Sequence, residues 1–105
     1  MCYVQSMSKV NQRLAMEARK LAMECAEGTA PEFGTESSGT LAEPNCAMGH
    51  MISRAGLEPS SAYYWMGGDC GLVLIANDFA KDHADRQSRL VFPLLALAEE
   101  LEELP

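Results

Sequence analysis

Cys46 and His50 stand four residues apart in the stretch Asn45-Cys46-Ala47-Met48-Gly49-His50. On a helix that spacing places a thiol and an imidazole on one face. Two chemistries use such a pair. One is a nucleophile with its base. A helix capped by Asn45 would put Cys46 in its first turn, where thiols ionise more easily, and Asp69 or Asn77 would orient the base. The other is half of a zinc site, completed from Cys25, Cys70, Asp69 or His83. None of the cysteines, at 2, 25, 46 and 70, forms a Cys-x-x-Cys hook, so the metal reading is loosely specified. Unbridged cysteine is among the most buried residue types. The preferred reading is therefore structural: Cys46 a small buried apolar residue, His50 half-exposed, no catalytic activity and no cofactor.

Other polar groupings lead to binding rather than catalysis. Gly67-Gly68-Asp69-Cys70-Gly71 lacks the lysine and hydroxyl of a phosphate-binding loop and reads as a turn. Asp78, Asp82, His83 and Asp85 read as the start of a helix. Tyr63, Tyr64 and Trp65 are adjacent, so a regular element cannot bury all of them, and an exposed aromatic suits a binding hot spot. Glu99, Glu100, Glu102 and Glu103 crowd the C-terminal end of a helix, where the helix dipole disfavours negative charge. The three aromatics and four glutamates are the contact residues expected for a positively charged partner.

The elements that position these groups follow from spacing. Val10, Leu14, Ala18, Leu21 and Cys25 make one stripe of a helix over 8–27, with Ser8 as its cap, Gly28 as its stop, and Arg13–Glu17 and Lys20–Glu24 as supporting pairs. Residues 1–7 read as a leader or a disordered start. Residues 28–44 show no period and read as a mobile excursion pinned by Phe33 and Leu41. A second helix spans 45–55, stopped by Gly56 and closed by Leu57. Residues 62–76 carry two readings, a short β-hairpin or a helix capped by Asp69 that buries Leu72, Ile75, Ala76 and Phe79; the helix is preferred. Leu90, Leu94, Leu97, Leu101 and Leu104 mark a last helix over 82–104, with a kink or a start near Ser88 caused by Pro93. The expected fold is mainly α: a single small domain of three to four helices over 8–105.

Composition narrows the class. The chain has 105 residues, 48% hydrophobic and 22% charged, ordinary for one globular domain. No apolar run approaches the roughly 18 residues of a membrane span, and no export signal precedes the first helix. Reduced thiols in the cytoplasm are the expected state. The net charge of −7 argues against a fold-wide nucleic-acid surface. The first 27 residues are net +1, while the middle and the end carry the negative charge. Such a surface attracts basic partners, including a host protein that itself handles nucleic acid.

Gly39-Thr40, Asn45-Cys46-Ala47-Met48-Gly49-His50 and Ala55-Gly56-Leu57, followed by Asn77-Asp78 and by Arg86 or Arg89, resemble a pattern in small accessory proteins of bacteriophages and prophages. Those proteins carry Gly-Thr, Cys-Ala-x-Gly-His, Gly-Leu and Asn-Asp at similar places, with a cysteine where this chain has Ser38. The resemblance covers about half of the chain. It implies a phage or prophage setting, in which small accessory proteins commonly bind a host protein. Together with the charge placement, the expectation is a non-enzymatic interaction protein that binds and inhibits a host macromolecule through its acidic surface, anti-CRISPR-like inhibitors of host defence being one such class. The competing expectations are a Cys46/His50 thiol hydrolase or zinc protein, and a homodimer zipped through the Leu90–Leu104 stripe.

Overall fold

The computed structural model describes residues 2–59 and 68–104, with side chains from Lys9 onward. Among them are four helices: α1 (Cys2–Glu27), α2 (Ala47–Arg54), α3 (Asp69–Asp78) and α4 (His83–Glu103). The protein is mainly helical, as its patterning requires. The competing hairpin is absent over 69–76, which belong to α3; its first half, with Tyr63, Tyr64 and Trp65, lies outside the described residues. None of the described helices is long and apolar enough to cross a membrane.

α1 and α4 form the frame. Leu14, Ala18, Leu21 and Cys25 of α1 are buried against Leu90, Leu94, Leu97 and Leu101 of α4. The leucine stripe is therefore consumed inside the chain and is not available as a zipper between copies. A 26-residue helix is about 39 Å long, which accounts for the 45 Å longest dimension. α1 begins at Cys2 rather than at Ser8, so 2–7 continue the helix; no proline or glycine precedes Ser8 to stop it. α4 begins at His83, with Asp82 accepting a hydrogen bond from the Asp85 N–H at 2.8 Å, and it continues through Pro93 rather than starting near Ser88.

Both expected glycine stops form the same turn. Gly28 and Gly56 adopt left-handed backbone, φ 77° and 81°. The following N–H groups, of Thr29 and Leu57, reach back to the Glu24 and Ile52 carbonyls at 2.9 and 3.2 Å, which is the Schellman closure.

The ion pairs differ from those expected on α1. Glu24 is taken by Arg54 of α2 in a two-pronged pair at 2.7 and 2.9 Å, and Lys20 lies 3.8 Å from the buried Glu17 instead. The Glu24–Arg54 fork joins α1 to α2 and holds the Glu24 carboxyl below its ordinary pKa.

Candidate functional site

Residues 28–46 run over the surface but are tied at several points. The Ala30 N–H donates to the Gln87 amide oxygen on α4 at 3.0 Å, and Phe33 is buried. Leu41, expected as a second pin, is exposed; its carbonyl accepts from the Ser53 hydroxyl at 2.6 Å. Farther on the chain doubles back. Gly34 N–H donates to the Asn45 carbonyl, and Asn45 N–H donates to the Ser38 carbonyl, both at 2.9 Å. The Asn45 side chain donates to the Thr35 and Ser37 carbonyls, so it holds the loop and does not cap α2. Gly49 presses against this fold-back: a Cβ there would fall 1.8 Å from the Ser38 carbonyl oxygen.

The missing cap comes from α3. Asn77 is fully buried, and its amide oxygen accepts from the Ala47 N–H at 3.0 Å. Its amide nitrogen donates to the Gly34 carbonyl at 2.9 Å, and its own carbonyl accepts from Arg86 Nε at 2.6 Å. One asparagine thus joins the loop, α2, α3 and α4. Ala47, Asn77, Asp78 and Arg86 of the motif meet here, and their observed work is to build the fold.

Cys46 is the residue preceding α2, and it is buried. It borders a cleft of about 430 Å3 together with Glu36, Ser37, Ser38, Leu74 and Asp78. His50 does not border that cleft. Its ring packs edge-on to Phe33, centroids 5.2 Å apart, and burial lowers its pKa. Cys46 thus stands just ahead of α2 and His50 within it, the His50 N–H donating to the Cys46 carbonyl at 2.9 Å. Cys25 lies in the core, its thiol pushed up to about 11 by burial, and Cys70 lies on α3 near Glu100, also raised by burial. Among the described residues no group of three or more His, Cys, Asp or Glu is placed to hold a metal ion.

Compared with known protein families, curated proteins and solved structures, the chain matches none.

The four glutamates separate into two pairs. Glu100 accepts from the Asp69 N–H at 3.0 Å and caps α3 from α4. Glu102 is forked onto Arg19 of α1, which lowers its pKa. Glu99 and Glu103 are exposed.

Apolar surface collects beside them. α3 lies antiparallel on α4, because Asp69 meets Glu100 at one end while Asn77 meets Arg86 at the other. α3 buries Val73 and Asn77 and turns its bulkier residues outward. Leu72 is 50% exposed, Ile75 58%, Phe79 76% and, on α4, Phe92 79%. Leu72, Ile75 and Ala76 form one wall of a groove of about 420 Å3; Arg89, Phe92, Pro93 and Ala96 form the other. The buried face expected for α3 is thus its outer face. In Leu72-Val73-Leu74-Ile75-Ala76 every direction is apolar, so periodicity does not choose the inner side; the polar partners of Asn77 do.

Proposed function

We propose that this protein is a non-enzymatic interaction protein, of the accessory type carried by phages and prophages, that works by docking on another protein in the cytoplasm of a host cell and inhibiting it. The observation that carries the reading is the row of large apolar side chains, Leu72, Ile75, Phe79 and Phe92, left in solvent along α3 and α4. Contiguous exposed apolar surface of this kind marks interaction sites, and bulky aromatic anchors dominate binding energy where they are desolvated. The phage setting is supported by the short motifs alone.

The test is affinity capture from a bacterial lysate with the wild-type chain and with a Phe79→Ser/Phe92→Ser variant. The expected result is a stoichiometric protein on the wild type and its loss from the variant. Equal capture by both, or by neither, would overturn the reading.

A further inference from the structure

We infer that the α3–α4 groove receives a short amphipathic helix of the partner, apolar on the side facing Leu72, Ile75 and Phe92 and carrying Lys or Arg toward Asp69, Glu99 and Glu103. The inference rests on the docking reading above and names the occupant.

The groove has two unlike ends. Phe92, Ala96, Glu99 and Glu103 follow one another along α4 at steps of four, three and four, so the apolar wall continues into an acidic one on the same face. Across the groove, Asp69 precedes Leu72 by three on α3 and sits at that same end. The cations near the other end are engaged within the chain. Arg89 pairs with Asp85 at 2.8 Å, and Arg86 donates to the Asn77 carbonyl. Glu99 lies within electrostatic reach of Arg19, which is already forked onto Glu102, whereas Asp69 and Glu103 enter no ion pair among the described residues; this end stays net negative and complements a basic group arriving with the ligand.

The walls favour a helix. Two packed helices offer ridges into which a third helix fits, with anchors at i, i+3, i+4 and i+7. Leu72 to Phe79 spans about 10 Å, and the acidic turns beyond Ala96 add about as much, so a helix of roughly 14 residues covers both ends. A second copy of this chain would bring another net charge of −7 to an acidic face, which opposes self-pairing.

The probe is a fluorescein-labelled peptide of about 14 residues with leucine at i, i+3, i+4 and i+7 and lysine elsewhere. Its controls replace lysine by glutamate or scramble the leucine order. Anisotropy titrations use the full chain, Phe92→Ser, Ile75→Ser, Glu99→Gln/Glu103→Gln, and Glu32→Gln/Glu43→Gln in the loop, each checked for helicity by circular dichroism. The Leu–Lys peptide should bind the wild type and weaken about tenfold on either groove variant. It should weaken about threefold on Glu99→Gln/Glu103→Gln and be unchanged on the loop variant. Equal binding of the glutamate or scrambled peptide, or indifference to both groove variants, overturns the assignment. So does a dimer in sedimentation that Phe92→Ser dissolves, since the occupant would then be a second copy. If the groove variants lose a lysate partner while the Leu–Lys peptide fails to bind, docking stands and the helical occupant falls.

Discussion

α4 presents apolar residues on two sides, and the two sides have different fates. Its inner row, Leu90, Leu94, Leu97 and Leu101, is fully buried under α1. Its outer row, headed by Phe92 beside Leu72 and Ile75 of α3, remains in water. Each inner leucine contributes about 1.5–3 kcal/mol by leaving water. The outer residues gain little from folding, so fold stability does not account for their size. The difference separates residues that make the fold from residues that the fold displays.

The sharpest way to break that comparison is to exchange the penalties. Leu94→Ala should cost about 2–5 kcal/mol in urea unfolding, while Phe92→Ser should stay within about 0.5 kcal/mol. A Phe92→Ser variant as unstable as Leu94→Ala would make the outer row a core.

Next in size is the buried junction. Asn77→Ala removes the acceptor of the Ala47 N–H and the donor to the Gly34 carbonyl, and should cost about 2–4 kcal/mol because buried polar groups lose their partners. Amide exchange at Ala47 should accelerate more than at Leu97, placing the damage at α2.

Much of this contrast was legible in the chain and part of it was not. The inner stripes of α1 and α4, and the stops at Gly28 and Gly56, are local signals that carry their own period or backbone preference. Local sequence puts the start of α2 at Asn45, whereas the helix begins at Ala47 because its cap is Asn77, 30 residues later in the chain. The Glu24–Arg54 fork was hidden for the same reason, since sequence spacing sees Lys20 first. The buried face of α3 is not legible in the sequence, because five consecutive apolar residues hold no phase. The groove depends on that phase, so the sequence does not reveal it.

A smaller effect is expected from acid. Burial lowers the pKa of His50, so protonation favours the unfolded chain, and the associated loss of stability should begin as pH falls below about 6.5. Glu24, lowered chiefly by its hydrogen bond to Arg54, stabilises at neutral pH, and that part is lost as pH falls below about 4.5. Melting temperature should therefore drop in two stages on acidification. His50→Gln should flatten the first, and Glu24→Gln should flatten the second.

The least effect should follow Glu102→Gln. Its pair with Arg19 is exposed, and such pairs rarely register in stability. An unchanged melting temperature at low and high salt is the expected result; a marked, salt-sensitive loss would show that this end of α4 is clamped by charge.

The pairing of α1 with α4 also sets a schedule. Arg19 and Glu102 are 83 residues apart in the chain. At synthesis rates of about 5–20 residues per second, α1 waits roughly 4–17 s for its partner to be made. Throughout that interval Leu14, Leu21 and the rest of its stripe lack the surface that covers them in the finished protein. The nascent chain is thus a natural client for any chaperone that binds apolar helices, and a truncation before α4 should accumulate as aggregate rather than as a smaller folded unit.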